Sequence, residues 1–409
     1  MDPLANPYTP NAGATPPLVV GRDDQQRSFD LLLARLEKGR TEQSMIITGL
    51  RGVGKTVLLR EFQKKATARH WATVDIEISK HNNDDFRRQL AREFRSALLR
   101  ISPKARWGAK ARRVASVIKS FTITVDPDGR ITAGLDADVE HGVADSGDLV
   151  IDLTEVILAL GEAAADHSSG VVLLLDEIQF LAREQLEAVV SALHKTVQLQ
   201  LPITMVGAGL PQIAELAGEA KSYAERLFKF PRIGNLTEDQ AYAALAEPAA
   251  QEGATFDKGA LQLAADITGR YPYFLQELGY AVWPMASGNR IRRLDVEQAQ
   301  QVYEEKLDSS FFRVRLDRTT ELEQAYLRAM ADLGPEPQLA GDVARILKRS
   351  SQQCAPTRAG LIEKGLLYTP GHGYAAFTVP RFDQFMHRSV PKLVVPPVKP
   401  RSKRTRASS

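Results

Sequence analysis

The segment Gly49-Leu50-Arg51-Gly52-Val53-Gly54-Lys55-Thr56 fits the pattern G-x-x-x-x-G-K-[ST], which describes a phosphate-binding loop. The loop follows a short apolar run at residues 45–48 and precedes an apolar stripe at residues 57–62. It is therefore expected to join a buried strand to a helix. The alternative interpretation is a chance glycine-rich turn. The agreement of strand, loop and helix favours a phosphate-binding loop.

The residue types of this loop suit a triphosphate and its metal ion. Its three glycines let the backbone curl so that successive N–H groups point at phosphate oxygens. The helix that begins near Val57 adds unpaired N–H groups and the positive end of its dipole. Lys55 is predicted to reach the β- and γ-phosphates, and the Thr56 hydroxyl is predicted to bind Mg²⁺.

A second motif lies at residues 171–177, where a run of valine and leucine ends in Asp176 and Glu177. Such a run is typical of a strand buried on both faces of a parallel sheet, and the carboxyl ends of these strands border ligand sites. Asp176 is predicted to hold Mg²⁺, and Glu177 to orient or deprotonate an attacking water. The alternative is a polar strand end followed by a helix N-cap. Together the two motifs predict binding of a nucleoside triphosphate with Mg²⁺.

The composition is that of a soluble globular protein of two or three domains. Of 409 residues, 44% are hydrophobic and 25% charged, and the net charge of +3 does not by itself imply nucleic-acid binding. The single cysteine, Cys354, excludes an intrachain disulfide and favours a reducing cytoplasm. Residues 1–17 lack the pattern of a signal peptide, and no apolar run approaches the ~20 residues of a membrane span. No membrane association is expected.

The chain is predicted to divide into five segments. Residues 1–18 form a flexible leader, and residues 19–234 alternate strands with helices, as in a parallel α/β sheet. Residues 235–308 are all-helical and form a lid, whereas residues 309–390 combine three helices with two strands, as in a winged helix-turn-helix. Residues 391–409 form a basic, disordered tail. The lid helices are expected at 237–252, 257–268, 272–286 and 295–308.

Residues 104–145 are predicted to be an insertion in the α/β segment. Its first part is basic and contains Trp107, and residues 121–139 are predicted to form a hairpin that turns at Asp126-Pro127-Asp128-Gly129. One interpretation is a contact surface for DNA or a partner. The other, which we favour, is a solvated helix beside a hairpin without a binding role. The basic side chains are Lys104, Arg106, Lys110, Arg112, Arg113 and Lys119.

Over residues 19–390, these features resemble the AAA-type P-loop ATPases of the origin-recognition and STAND-like group. The resemblance includes Val20-Gly21-Arg22-Asp23, both motifs, the glycine-rich strand end at residues 207–209, the lid and the winged helix. Its most specific part is Gly269-Arg270-Tyr271-Pro272-Tyr273-Phe274, which is similar to the glycine-to-proline lid motif of that group. The resemblance implies an α/β P-loop NTPase core of AAA type with a helical lid and a C-terminal winged helix. It also implies that the nucleotide is ATP.

Four further site residues are implied by the resemblance. Gly21 and Arg22 are expected to border the adenine, and Pro272 to cover it from the lid. Arg22 is also consistent with a residue at a helix start that pairs with an acid, and Pro272 with the first residue of a lid helix. Arg226 matches the arginine finger, supplied in trans, so that hydrolysis would depend on a homo-oligomer. The alternative for Arg226 is a salt bridge with Glu225 or another local acid.

Two departures from the family pattern favour a slow switch over a fast motor. Relatives usually end the strand after Asp176 and Glu177 with Asn, Thr or Ser, whereas residues 207–209 are Gly-Ala-Gly and offer no side-chain donor to position water. The lid has Pro272 where relatives have a sensor arginine, and Arg270 is two positions away.

Three functions are consistent with the sequence. The favoured one is an ATP-driven switch that hydrolyses ATP slowly to ADP, because core, lid and winged helix occur in this order with both motifs. The second is an ATP-regulated DNA-binding protein of initiator or mobile-element type. In it, residues 350–364 would be the recognition helix and the tail would contact phosphates. The third is a scaffold that does not hydrolyse ATP, which the intact Glu177 argues against. The candidate DNA contacts of the helix are Arg349, Arg358 and Lys364.

Overall fold

The computed structural model of the chain describes all residues except 12, 80–81, 103–107, 124, 127, 129, 133–134, 136 and 398–409. The chain forms two compact units, Met1–Gln300 and Gln301–Ser409. The boundary falls inside the last lid helix rather than at the predicted position after residue 308.

The first unit is built on a five-stranded parallel sheet. Its strands are β1 (Ser44–Thr48), β2 (Ala72–Glu77), β3 (Val171–Asp176), β4 (Ile203–Gly209) and β5 (Phe228–Lys229). They lie in the order β2-β3-β4-β1-β5 and pair in parallel, and β1, β3 and β4 are buried along their length. The register aligns Thr48 with Gly209 and Glu77 with Asp176. The carboxyl ends of these strands therefore meet at one edge, where the phosphate-binding loop begins.

Helices of the core cover this sheet. They are α1 (Asp23–Glu37), α2 (Lys55–Ala68), α3 (Asn83–Ile101), α4 (Ala109–Thr122), α5 (Leu149–Asp166), α6 (Arg183–Gln198), α7 (Ile213–Ala220) and α8 (Ala224–Leu227). α1 packs on α2 through the stacked rings of Phe29 and Phe62, whose centroids lie 4.3 Å apart. α5 begins at a side-chain cap, because Asp148 accepts a hydrogen bond from the backbone N–H of Val150 at 2.8 Å.

The predicted hairpin at residues 121–139 is wrong. α4 continues to Thr122, and no strand is assigned to the residues that the structure describes between 121 and 148. Val114, Ile118 and Phe121 recur at helical spacing and are buried where α4 packs on α3 and α5. The insertion therefore contributes a helix to the core.

The basic part of the insertion is only partly described. Residues 103–107, with the tryptophan and two of the basic side chains, lie outside the described residues. Lys110 forms an ion pair with Asp166 at 2.7 Å, and Arg113 lies 3.7 Å from Glu162. These two cations thus face acids of α5.

The lid contains helices at the four predicted positions. They are α9 (Glu238–Gln251), α10 (Lys258–Thr268), α11 (Pro272–Val282) and α12 (Arg293–Lys306). Two short parallel strands, β6 (Thr255–Phe256) and β7 (Arg290–Ile291), join the ends of the lid segments. α9 begins with a capping box, in which Thr237 and Gln240 exchange hydrogen bonds between side chain and backbone.

The N-terminal residues pack on the lid. The Tyr8 side chain is buried, and its hydroxyl donates a hydrogen bond to the Leu245 carbonyl at 2.6 Å. Its ring lies against Gly279, where a Cβ would come within 2.7 Å of the ring. Trp283 Nε1 donates to the carbonyl of Asp2 at 2.8 Å. The prediction of a flexible leader is wrong for this segment because its aromatic and polar groups find partners on α9 and α11 and just beyond α11.

The second unit includes a π-helical turn at Leu307–Phe312, which comes directly after the end of α12. Its elements are α13 (Arg313–Leu316), α14 (Glu321–Leu333), β8 (Gln338–Leu339), α15 (Ala340–Ile346), α16 (Ser351–Glu363), β9 (Leu367–Tyr368), β10 (Tyr374–Phe377) and α17 (Phe382–Ser389). The strands form an antiparallel sheet in the order β8-β10-β9. From α14 to β10, the order helix, strand, helix, helix, strand, strand is that of a winged helix-turn-helix.

Pro356 lies inside α16, beyond its first turn. A capping box begins the helix, with Gln353 N donating to Ser350 Oγ at 3.2 Å and Ser350 N donating to Gln353 Oε1 at 2.9 Å. Buried Cys354 and Leu361 anchor both sides of the proline. These contacts offset the backbone hydrogen bond that proline cannot donate.

Most of the predicted basic tail lies outside the described residues, and Lys392 within them is exposed. Among the described residues, no helix is both long and apolar enough to span a membrane.

Candidate nucleotide-binding site

The phosphate-binding loop joins β1 to α2 as predicted. Gly52 and Gly54 have φ angles of +86° and +93°, which residues with a Cβ rarely adopt. Gly49 packs against the backbone of Ile233, and a Cβ at Gly49 would come within 2.5 Å of the Ile233 carbonyl oxygen. Val53 is buried, and Val57 lies in the first turn of α2. The glycines thus permit a curled loop at the N-terminus of α2, a place where backbone N–H groups can bind an anion.

Lys55 and Thr56 connect this loop to the end of β3. Thr56 Oγ1 donates a hydrogen bond to Asp176 Oδ2 at 2.6 Å. Lys55 Nζ donates to the carbonyls of Gly49 and Leu50 at 3.0 and 2.9 Å. Burial lowers the pKa of Lys55, and the nearby carboxylates oppose that shift. The two predicted Mg²⁺ ligands, Thr56 and Asp176, are therefore in direct contact.

Asp176 is buried at the end of β3. Burial raises its pKa, while the hydrogen bonds from the Thr56 hydroxyl and the backbone N–H of Glu177 act against the rise. Burial of a carboxylate disfavours its charged form unless a cation or donors compensate. Asp176 is thus suited to a cation that would stabilise its charge.

Glu177 follows in the left-handed region, with φ of +53°. Its Oε2 lies 3.9 Å from Arg51 Nη2 of the loop and accepts a hydrogen bond from Gln179 Nε2. Arg51 Nε is buried and has no hydrogen-bond partner among the described residues. The carboxylate predicted to activate water therefore lies beside the phosphate-binding loop.

The lid also contacts the phosphate-binding loop. Tyr271 is buried and its hydroxyl donates to the Arg51 carbonyl, while Tyr273 N donates to the Gly52 carbonyl at 3.2 Å. A Cβ at Gly52 would lie 3.0 Å from Tyr273 Cβ. Pro272 is the first residue of α11, as one interpretation of the sequence predicts. The motif around Pro272 thus faces the loop through its two tyrosines.

Arg22 stands at the start of α1 but does not pair with an acid there, and its predicted place beside the adenine stays a prediction. It is 6% exposed and binds backbone carbonyls rather than an acid: Gly21 O, Val53 O and Gly234 O, each at 2.9 Å. Burial lowers the pKa of its guanidinium. Gly21 has φ of +67° and lies against the Gln240 side chain. Arg22 therefore ties the start of the core to the loop and to the start of the lid segment.

Arg226 lies on α8 and is exposed, away from the contacts described above. The predicted alternative, a salt bridge with Glu225, is absent, and the acids that the structure describes form no ion pair with Arg226. An arginine that acts in trans must be accessible, and Arg226 meets this condition.

A known family model matches most of the core. Residues 18–206 match a family model described as "AAA ATPase domain". The core has the AAA-type P-loop NTPase fold. Residues 309–386 match a model described as "Domain of unknown function (DUF8462)". A search of curated proteins gives no match.

A solved structure has the same overall fold. The Walker-type ATPase of Pyrococcus abyssi has a TM-score of 0.57 and 14% identity, and the alignment covers 90% of this chain and 96% of that chain. At this identity the likeness shows the fold alone. The Orc1 protein of Aeropyrum pernix in complex with DNA has a TM-score of 0.45 and 16% identity, with 92% and 94% covered. The RuvB Holliday junction branch migration motor of Thermotoga maritima has 0.44 and 15%, with 91% and 96% covered.

The donor set of the AAA-type core fits Mg²⁺. A hydroxyl and a carboxylate are hard oxygen ligands, and Mg²⁺ usually takes one or two such groups together with phosphates and water. Among the described residues, no cluster of three or more His, Cys, Asp or Glu could hold a metal. A single hydroxyl and a single carboxylate leave other coordination positions of Mg²⁺ to phosphates and water, so the arrangement suits a metal held jointly with a nucleotide.

Sequence reasoning missed three residues of this site. Tyr271 and Tyr273 contact the loop across more than two hundred residues of sequence, and only their place beside Pro272 could have drawn attention to them. Gln179 binds Glu177 and lies two residues after it. An amide so close to the predicted general base was a signal in the sequence.

Proposed function

We propose that this protein binds ATP with Mg²⁺ and hydrolyses it slowly, and that the bound nucleotide controls a conformational switch. The observation that carries the proposal is the contact between Thr56 and Asp176, 2.6 Å, beside Lys55 and Glu177 at the carboxyl ends of β1 and β3. The loop amides and Lys55 bind the phosphates, and Thr56 with Asp176 holds the metal. When bound, Mg²⁺ neutralises charge on the phosphate oxygens.

Glu177 acts as the general base in this proposal. A water oxygen attacks the γ-phosphorus, the bond to the β,γ-bridging oxygen breaks, and Glu177 accepts the proton of the water. The products are ADP and phosphate. The carboxylate is suited to this role because it lies next to the loop and follows the buried strand that carries Asp176.

In this proposal, the contacts between the lid and the phosphate-binding loop couple the bound nucleotide to the conformational change. Tyr271 and Tyr273 bind the carbonyls of Arg51 and Gly52, so a change in the loop backbone changes the lid contacts directly. A ligand shifts such an equilibrium only by its different affinity for the two arrangements. Gly21, Arg22 and Pro272 would contact the adenine, and Arg226 of a neighbouring copy would complete the site in a homo-oligomer.

Direct DNA binding through α16 is the less favoured function. Lys364 pairs with Glu323 at 2.6 Å, and Arg349 Nη2 donates to the Pro396 carbonyl at 2.6 Å. The exposed positions of α16 carry uncharged residues such as Gln352 and Ala355 and the acidic Glu363, whereas Arg358 is half-buried. A helix that binds DNA usually presents free cations and base-reading side chains. These contacts favour an internal role of the winged helix.

Phosphate release from ATP and Mg²⁺ tests the proposal. Glu177→Gln should lower the turnover by about 10²–10⁴-fold with little change in ATP affinity, because only the proton acceptor is removed. Equal rates for wild type and Glu177→Gln would contradict the role of Glu177. Light scattering after gel filtration, with and without nucleotide, measures the oligomer that Arg226 requires.

A further inference from the structure

The end of β4 has no side chain to position water, because residues 207–209 are Gly-Ala-Gly. A side chain from a different element lies there. Gln179 belongs to the short 3-10 helix Ile178–Phe180 that follows Glu177, and its amide lies between the Glu177 carboxylate and the end of β4. Its Nε2 donates to Glu177 Oε2, and its Oε1 accepts from the backbone N–H of Leu210 at 3.1 Å.

These two partners fix which way the amide points. The N–H of Leu210 can only donate, and an ionised carboxylate can only accept. If the amide were flipped, its NH₂ group would face the N–H of Leu210 and its oxygen would face the Glu177 carboxylate. Neither hydrogen bond could then form. Gln179 therefore presents its NH₂ group to Glu177 and cannot exchange the two ends without losing both hydrogen bonds.

Gly209 creates the space for this amide. A Cβ at Gly209 would lie 2.8 Å from Gln179 Oε1, closer than real Cβ contacts allow. β4 also packs tightly on Ile178, the residue before Gln179, because a Cβ at Gly207 would lie 2.7 Å from Ile178 Cδ1. The glycines that remove a polar side chain from β4 are thus the residues that admit Gln179.

The backbone of Glu177 brings Gln179 back to the site. Its left-handed conformation, φ of +53°, is unfavourable for a residue with a Cβ, because the Cβ lies close to the following carbonyl oxygen. The turn is closed by the hydrogen bond from Phe180 N to Glu177 O at 3.0 Å. The strained residue is the predicted general base itself, and strain of this kind often persists at functional sites.

We propose that Gln179 is a positioning residue for hydrolysis, which orients the Glu177 carboxylate and takes over the role of the polar side chain missing from the end of β4. This inference rests on the proposed ATPase function. Gln179 holds Oε2 of Glu177, so that the other oxygen, Oε1, is directed to the water. It acts through Glu177 and contributes to the rate of hydrolysis without contributing to ATP affinity.

The first test compares Gln179→Met with wild type. Methionine keeps the length of the side chain but has no amide, so the fold is expected to be retained. The kcat for phosphate release should fall by about 10–100-fold, as for other residues that orient a catalytic group, while KM and the ATP affinity by calorimetry stay unchanged. Gln198→Leu, an exposed glutamine at the end of α6, is the matched control and should have the wild-type kcat.

The second test moves the amide to β4. Gly209→Asn alone should lower kcat, because its Cβ displaces Gln179. Gln179→Ala alone should lower kcat as well. The double variant Gln179→Ala with Gly209→Asn should be faster than either single variant, since the new amide occupies the space that Gln179 leaves. A purely structural role of Gln179 predicts no such recovery.

The possible outcomes distinguish a failure of this inference from a failure of the proposed ATPase function. Wild-type kcat in Gln179→Met, in a preparation where Glu177→Gln is slow, overturns the positioning role and leaves the ATPase proposal intact. Absence of hydrolysis by wild type overturns both. A fall in ATP affinity equal to the fall in kcat/KM also overturns the inference, because it assigns Gln179 to binding. Thermal unfolding of each variant shows whether a failure of folding explains a low rate. If a single variant fails to fold, the kcat of the double variant tests the inference.

Discussion

Two buried carboxylates of the first unit differ in how the protein satisfies them. Asp152, near the start of α5, accepts hydrogen bonds from Arg87 at 2.7 Å, from Ser146 N and Oγ at 3.0 and 2.7 Å, and from Gly147 N at 3.1 Å. Asp176, at the end of β3, accepts from the Thr56 hydroxyl at 2.6 Å and from its neighbour's N–H at 2.8 Å. Arg87 pairs directly with Asp152, whereas the described cations form no ion pair with Asp176.

This difference separates a charge that holds the fold together from a charge that serves a ligand. Asp152 has a guanidinium and three further donors, and Arg87 also lies over the Phe121 ring at 4.9 Å. The pair thereby joins α3, α4 and α5. Asp176 is buried with fewer donors and with a raised pKa, in a place where strand ends and a helix N-terminus meet. A bound cation would complete its environment.

Breaking the buried ion pair should have the largest effect. Asp152→Ala should lower the free energy of unfolding by about 3–5 kcal/mol, because it leaves the Arg87 guanidinium buried without its carboxylate. ATP affinity should not change in the fraction that remains folded. Urea unfolding and calorimetry measure the two quantities.

The matched control is Asp166→Ala at the other end of α5. It removes an exposed partner of Lys110 and should leave the free energy of unfolding nearly unchanged, since exposed ion pairs contribute little. Similar losses for Asp152→Ala and Asp166→Ala would remove the distinction between the two kinds of carboxylate.

The contact between loop and strand should have an intermediate effect. Thr56→Val keeps the shape of the side chain but removes the hydroxyl that binds Asp176, so the free energy of unfolding should change by only about 1 kcal/mol. The Mg²⁺ dependence of ATP binding should nevertheless be lost. Thr56→Ser keeps the hydroxyl and should retain that dependence in a magnesium titration. Full Mg²⁺ dependence in Thr56→Val would exclude the hydroxyl as a ligand.

The smallest effect is a dependence of stability on pH. Because burial raises the pKa of Asp176 in the folded protein, its charge destabilises the fold above that pKa, and the penalty disappears as pH falls through it toward the ordinary value of 3.8. Asp176→Asn should therefore be more stable than wild type near about pH 7, and the gain should shrink as the pH is lowered. Urea unfolding across this range measures it. A gain that is independent of pH would show that charge is not its cause.

The sequence predicted those parts of the site that depend on local patterns. The loop from Gly49 to Thr56 and the strand ending in Asp176 are short, contiguous segments, and each determines its own conformation through glycines or an apolar run. The parallel sheet follows because such strands alternate with helices. The assignments of Gly21, Arg22, Pro272 and Arg226 stay predictions, since their roles depend on a nucleotide or a second subunit.

The contacts that the sequence did not predict are long-range or conflict with local propensity. Tyr8 packs on the lid and Tyr273 on the loop through partners that no local pattern identifies. Residues 121–123, Phe-Thr-Ile, have the composition of a strand, but burial of Phe121 between helices extends α4 to Thr122. The pattern of β4 does not predict Gln179, because this side chain reaches the end of β4 from the turn after Glu177.

Calorimetry of ATP binding in the presence of Mg²⁺ tests the central claim most directly. Wild type should bind ATP. Lys55→Ala should lower the affinity by at least about 100-fold, because a charge-assisted contact with the phosphates is lost. Lys64→Ala, an exposed lysine on the same helix, should bind as wild type does. Absence of any uptake of ATP or ADP by the wild-type protein would contradict the assignment of the site.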